Sequence, residues 1–420
     1  MTEKQTRTSQ PRVLLFGYNG ANNTGAEALL LSDIKDVRAV LGPEAHITVP
    51  TLNEANLRRY LKESPKLRIA PIPSIFFFAI RRLVRGHDLL LLVEGSTYMD
   101  TWTSALLWAF LWATRCAHVV GKPCLAYAVD AGEIKSPLNR RLVCSEASKT
   151  DLIIVRAQAA AERLRSFGVR APIEVTADNA FTFRPEDADE GWVQRAWPVG
   201  AAGGGIVGLA VVDPYLWPVI MRPWGRREDC YKWPYYYTRS PERSRATEAL
   251  VGSYATLADS LVVQHSKAVA LICMEQLDEP LARQVQRRMA HADRARIFSA
   301  REYNASQMTV LLRSLDVLVT ARYHACVLSL AAQIPQLAVG HDLRLKTIYA
   351  ELGLRDRYFF DPRDPNLVHL LKERVEEMLA HPASVQDLLR RGYQEHAAQA
   401  GRNRELLRDF VQARGWGVAA

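Results

Sequence analysis

Short apolar runs alternate along this chain with segments of helical period, and they do so in two successive series. Alternation of this kind is the mark of βα units that build a mostly parallel sheet, so it fixes the fold class before any single residue is considered. The first series places strands at 13–16, 46–49, 89–93, 124–128, 152–155 and 173–175, with helices such as 25–41 and 157–167 between them. The stretch 185–205 mixes proline, acids and a glycine run without either period, and reads as a linker. A second series follows, with strands at 206–212, 268–273, 295–298, 317–320 and 337–339. The expected organisation is a polar tail at 1–11, a Rossmann-like domain at 12–184, the linker, a second Rossmann-like domain at 206–385, and a helical extension at 386–420. At 420 residues the chain exceeds the ~100 to 200 residues of an ordinary domain, which agrees with two.

Two doubly wound domains facing a central cleft would gather the carboxyl ends of both sheets at one place, where open α/β sheets bind ligands. This is the layout of the B-type glycosyltransferases. One segment breaks the pattern: 213–245 is crowded with Trp, Tyr, Pro and Arg, including Trp217, Trp224, Trp233 and Tyr236. It reads as an inserted loop whose aromatic faces suit stacking on sugar rings, or else as a loop packed on its own domain.

Composition narrows the partners. A formal charge of +9 favours anionic ones through the summed field. Nucleic acid is not expected, because 45 acidic residues nearly match 54 basic ones and no basic stripe is interleaved with aromatics. The six cysteines have neither C-x-x-C pairing nor a nearby His at metal-ligand spacing, so they read as reduced, buried thiols of a cytoplasmic protein, with no metal expected. The polar start MTEKQTRTSQ lacks the apolar stretch of a secretory signal. Segments 75–80 (IFFFAI) and 105–113 (ALLWAFLWA) are too short to span a bilayer, which takes ~20 residues. A core helix is the first reading of the former; a peripheral membrane interface near a lipid-linked substrate is the second, because Arg81, Arg82 and Arg85 follow it.

Two motifs carry chemistry. After the first strand comes Gly17-Tyr-Asn-Gly20-Ala-Asn-Asn23-Thr-Gly25-Ala-Glu27, a turn that exposes backbone N–H groups ahead of a helix. Thr24 and Glu27 read as a capping box, and the spacing is not that of a dinucleotide fingerprint. After the strand 315–320 comes Arg322-Tyr-His324, a cation and an imidazole at a strand's carboxyl end, opening an apolar helix. Such a placement suits a ligand bearing phosphate and carboxylate.

The run from Leu315 to Pro335, with its Asp, short apolar strand and Arg-x-His, resembles the polysaccharide pyruvyl transferases. Other pieces agree in order: Asn22-Asn-Thr-Gly25-Ala-Glu27-Ala, the stretch 88–100, Val155-Arg156 with Leu164 and Gly168, Asp178-Asn-Ala-Phe181, and His341-Asp342 to Lys346. Together they span roughly residues 12–355. The chain departs from the family pattern at Ala26, where Asp is common, at Glu94-Gly95-Ser96 in place of a glycine-rich triplet, and at Tyr323. The resemblance implies transfer of a pyruvyl group from phosphoenolpyruvate, as co-substrate and with no other cofactor, to a sugar or glycan hydroxyl. It implies an anion cradle of Arg322, Arg156 and Lys346, with Asn23 and Gly25 from the first loop; His324 as general acid; and Glu94, Asp178 or Asp100 as base; Asp100, and Trp217 and Tyr236 of the insertion, which is unusual for the family, are the candidates to face the acceptor. The rival expectations are a nucleotide-sugar glycosyltransferase of the same architecture and a glycan-binding or assembly protein without catalysis.

Overall fold

The computed structural model describes residues 10–101, 103–198, 204–216, 219–233, 235–340 and 342–418. The chain divides into two compact units. The first takes residues up to 21, 26–183 and those from 396 onward, and the second takes 22–25 and 184–395.

In the first unit seven parallel strands stand in the order β3-β2-β1-β4-β5-β6-β7. They are β1 (Val13–Phe16), β2 (Ile47–Thr51), β3 (Leu67–Pro71), β4 (Leu89–Leu92), β5 (Cys124–Val129), β6 (Leu152–Val155) and β7 (Ile173–Val175). Helices cover both faces, which is why β1 and β4 read VLLF and LLLL with every residue buried. The pleat sends alternate residues to opposite cores. Leu14, Phe16, Leu90 and Leu92 enter the core that also holds Phe110 and Val143, whereas Val13, Leu15, Leu89 and Leu91 enter the one closed by Leu407 and Phe410. In the region of the expected helical extension at 386–420, the helix Ala383–Gln412 is continuous, and its last turns complete the first unit's core.

The second unit has a six-stranded parallel sheet in the order β13-β12-β8-β14-β15-β16 and a small antiparallel sheet, β10-β11-β9. Its strands are β8 (Ile206–Ala210), β9 (Val219–Met221), β10 (Cys230–Lys232), β11 (Tyr235–Tyr237), β12 (Ala268–Cys273), β13 (Ala295–Ser299), β14 (Val317–Thr320), β15 (Gln336–Val339) and β16 (Phe359–Phe360). Both large sheets thus share the doubly wound order, in which the first strand lies between the second and the fourth. Two expectations change here. The segment 213–245 is not an open loop but carries β9 to β11. The described part of the expected linker folds into the second unit, where Trp192 is buried and stacks near Tyr303 with centroids 4.9 Å apart, its indole N–H donating to Gln307 O at 2.8 Å.

Behind the first sheet, helix α1 (Thr24–Leu41), which α2 (Glu54–Tyr60) follows after β2, buries Asp33 and Asp36, bridged by Asn179, whose Nδ2 donates to them at 2.7 and 2.9 Å. Burial pushes the Asp33 carboxyl well above its usual range; the Asn179 hydrogen bond pulls it back, and the neighbouring carboxylates of Asp36, Asp178 and Glu94 push it further up. A carboxyl whose folded pKa is raised gives stability that is fully present below its unfolded pKa and is lost as pH rises through the folded one. Asp33→Asn keeps an acceptor for Asn179 and removes that titration. The variant should melt higher than the parent at pH 8, and the two melting points should converge as pH falls to the ordinary carboxylate range, as thermal unfolding across pH will read.

Candidate functional site

Each large sheet has one point where neighbouring connections leave in opposite directions, and loops at the carboxyl ends there form the usual ligand crevice. In the second sheet this lies between β8 and β14. After β14 the Thr320 hydroxyl accepts the Arg322 N–H at 2.9 Å and donates to the Arg322 carbonyl at 2.9 Å, pinning the turn before the helix Tyr323–Ser329. The Arg322 guanidinium is gripped by Asp278, with Nε to Oδ2 at 3.0 Å and Nη2 on Oδ1, and by Glu275, with Nη1 to Oε2 at 3.2 Å. Burial works against its charge, but Asp278 and Glu275 outweigh that and hold its pKa above the ordinary arginine value. Arg322, expected in the anion cradle, is thus engaged by two carboxylates. Its fork is filled by carboxylates of the same unit, and what it does is fix the turn against the loop that follows β12.

That loop, 274–278, also holds the segment 22–25. Thr24 N–H donates to Met274 O at 2.9 Å, Gln276 N–H to Asn22 O at 3.1 Å and Asn22 Nδ2 to Gln276 Oε1 at 2.9 Å, while Asn23 pairs with Glu275 in an isolated antiparallel bridge. Asn23 therefore serves as backbone partner of Glu275. The pairing sets Gly25 beneath the half-buried His324 ring. A Cβ on Gly25 would fall on the imidazole, onto Nδ1 and Cγ and within 2.7 Å of Cε1. With the ring where it stands, only glycine fits there, because real Cβ contacts do not come below 3.0 Å. Tyr323 meets the same ring edge to face at 5.1 Å. His324, Arg322, Gly25 and Asn23 are thus gathered in the second unit with Glu275 and Asp278, two residues sequence reasoning missed. Their signal was present: Glu275-Gln-Leu-Asp278 follows a buried strand and forms a capping box.

The remaining expectations in the second unit fare differently. Lys346 is exposed on the helix Leu343–Glu351, which Asp342 caps. Tyr236 is buried, with the Arg222 guanidinium 4.7 Å above its ring, so it offers no open face to an acceptor. Trp217 and His341 lie outside the described residues. Among the described residues of the insertion, the large exposed rings are Trp224 and Trp233.

In the first unit the corresponding point lies between β1 and β4. Glu94 anchors it by accepting from Tyr18 N–H and Ser96 N–H, both at 3.2 Å, and from the Ser96 hydroxyl at 3.0 Å. Arg156, expected in the anion cradle, is enclosed by carboxylates. Its side chain is 2% exposed, Nε and Nη2 donate to Asp130 Oδ2 at 3.1 and 3.0 Å, and Nη1 pairs with Asp178 Oδ2. The guanidinium lies on Gly95, where a Cβ would come within 2.6 Å of Nη1. Asp178, whose other oxygen caps Ala180 N–H at 2.8 Å, has both carboxylate oxygens engaged. A bulge in β5, with Ala128 at φ 51°, precedes Asp130. Asp100 holds the start of helix 137–147 by accepting from Lys135 N–H at 3.1 Å and Asn139 Nδ2 at 2.9 Å. Glu27 turns to Arg59 at 2.5 Å, and α1 begins at Thr24.

The fold is that of several solved enzymes. The UDP-GlcNAc 2-epimerase of Neisseria meningitidis matches with a TM-score of 0.58 at 8% identity over 96% of this chain and 99% of its own. A putative UDP-N-acetylglucosamine 2-epimerase of Listeria monocytogenes gives 0.58 at 12% over 97% and 99%. The trehalose 6-phosphate synthase of Burkholderia multivorans gives 0.53 at 12% over 96% and 98%. At these identities the likeness concerns the fold alone. No curated protein matches the chain in sequence. The family model described as polysaccharide pyruvyl transferase, in contrast, matches residues 23–342, from Asn23 through the Arg322-x-His324 turn to Asp342. The chain belongs to the polysaccharide pyruvyl transferase family, a family of transferases.

Proposed function

We propose that the protein transfers the pyruvyl group of phosphoenolpyruvate to a sugar or glycan as a ketal, with the Arg322–His324 turn as its catalytic element. The observation that carries this reading is the seating of His324 on Gly25 at the carboxyl end of the second sheet, inside the region matched by the family. The chemistry asks for an acid at the methylene carbon, cations for phosphate and carboxylate, and a base for the attacking hydroxyl. One acceptor oxygen bonds to the central carbon as the methylene gains a proton. A second oxygen then displaces phosphate, which leaves with the other proton. In this reading His324 delivers the proton to carbon, and Arg322 is a positioning residue that presents the imidazole. Lys346 and the Gly25 N–H in the first turn of α1 are the candidates to meet the donor's charges. Of the three carboxylates expected as base, Asp178 is spent on Arg156 and Asp100 on a helix start. Glu94 is the one with no cation paired to it among the described residues. Trp224 and Trp233 are exposed enough to stack on an acceptor ring. All six cysteines are free thiols, which suits the reducing cytoplasm where we place the protein.

The test is phosphate release from phosphoenolpyruvate against a panel of glycan acceptors, run beside nucleotide release from nucleotide sugars. His324→Ala should lower kcat by about 10² to 10⁴ with a smaller change in donor KM. Consumption of a nucleotide sugar with phosphoenolpyruvate untouched by every acceptor would overturn the reading.

A further inference from the structure

In the first unit, helices α3 (Phe77–Arg85), α4 (Ser104–Val119) and α5 (Pro137–Ala147) lie over one face of the sheet. Their inward residues, Ile80 and Val84 on α3 and Leu107, Phe110 and Ala113 on α4, already fill that core. Phe78 nevertheless stands 84% exposed and Ile75 76%, with Phe77 and Trp108 more than a third exposed beside them. The indole N–H groups of α4 are satisfied inside the protein, Trp108 by Asn139 Oδ1 at 2.9 Å and Trp112 by the Phe77 carbonyl at 2.8 Å. Their rings are therefore held in place at the rim, without needing a polar partner from outside.

The charges on this layer are one-sided. The three helices carry six arginines, Arg81, Arg82, Arg85, Arg115, Arg140 and Arg141, against one carboxylate. That carboxylate, Glu146, is buried and held by Arg115 at 3.0 Å and Lys149 at 2.5 Å, so it offsets Arg115 and leaves the other five arginines of the layer unmatched by an acid on these helices. Arg140 and Arg141 also line a groove with Lys149 and Arg170, which extends the positive surface. On α3 the pattern is directional: Phe77 and Phe78 open the helix, while Arg81, Arg82 and Arg85 follow at the spacings that keep them on the same outer side.

We infer that this face docks the protein on an anionic phospholipid surface, with Phe78 and Ile75 entering the acyl boundary and the arginines lying among the headgroups. Exposed aromatic tips next to arginines with no outward acid are the composition of an interfacial helix. No helix among the described residues is long and apolar enough to cross a membrane, so the attachment is peripheral. The inference concerns where the enzyme sits and stands apart from which donor it uses.

The full chain is tested by co-sedimentation with vesicles of phosphatidylcholine alone and of phosphatidylcholine with one-third phosphatidylglycerol. Binding to the second and not the first is expected, and it should be lost at about 0.5 M salt, where screening is short-ranged. Phe78→Ser should weaken it about tenfold or more. Joint Arg81→Ser, Arg82→Ser and Arg85→Ser should weaken it about a hundredfold. Both variants should keep the parent's melting temperature and phosphate-release activity in solution, since neither position touches the core or the site. Equal binding to both vesicles, binding to neither, or unchanged binding in both variants overturns the proposal. So does a stable dimer in sedimentation velocity that Phe78→Ser dissociates, because a second copy would then be what covers the face.

Discussion

Gly25→Ala is expected to lower turnover by about 10² to 10⁴ while the protein stays folded. The added methyl lands on the His324 ring, and residues 22–24 are tied to 274–276 by two backbone hydrogen bonds and one between side chains, which keeps the segment from backing away. The imidazole must swing instead. An acid displaced by even 1 Å loses most of its contribution, since proton transfer requires hydrogen-bond reach. Stability should change little. Overpacking costs about 1 to 3 kcal/mol, and replacing glycine inside α1 returns up to about 1 kcal/mol. The decisive measurement is the double variant. If Gly25 acts through His324, then Gly25→Ala in a His324→Ala background should cost nothing further, because both changes remove the same function. An additive loss would mean that Gly25 serves the donor directly through its backbone. The donor KM distinguishes the cases a second time: a displaced acid lowers kcat, whereas a lost backbone contact raises KM.

The framework of this protein could be read from its sequence because parallel strands buried on both faces leave unbroken apolar runs such as LLLL at 89–92 and AVALIC at 268–273. The elements that escaped lack that signature. The edge strand LRIAP exposes Arg68 and Pro71, and β9 to β11 are three-residue strands hidden among aromatics and prolines. The position of Arg322 and His324 was legible as well, since a strand followed at once by a cation and a helix is a local pattern. Which group satisfies each arginine was not. Arg322 finds Asp278 at a separation of 44 residues, and Arg156 finds Asp130 and Asp178 at 26 and 22, on other connections of the sheet. Sequence reports that a charge exists; only packing reports that it has been neutralised. The same holds for Phe77 and Phe78, whose apolar character suggested a core helix although Ile80 and Val84 are the residues that turn inward.

Arg156 gives the sharpest contrast between those two levels. Were it a ligand of the donor, Arg156→Ala would raise donor KM and leave the melting temperature alone. The geometry predicts the reverse. Its guanidinium is shielded from water and bridges two carboxylates, one of which, Asp178, is itself fully buried. Truncation leaves those charges desolvated without a counterion, at a cost of about 3 to 5 kcal/mol. For a unit of this size that corresponds to a fall in Tm of about 6 to 20 °C. Arg156→Lys should recover only part of it, because an ammonium cannot reproduce the fork that reaches Asp130 with one edge and Asp178 with another. Combining Arg156→Met with Asp178→Asn removes a charge of each sign and should be milder than Arg156→Ala alone, since a missing pair costs less than a broken one. Thermal unfolding and donor KM, measured on the same three variants, separate a structural cation from a catalytic one. A raised KM with unchanged Tm would return Arg156 to the donor site.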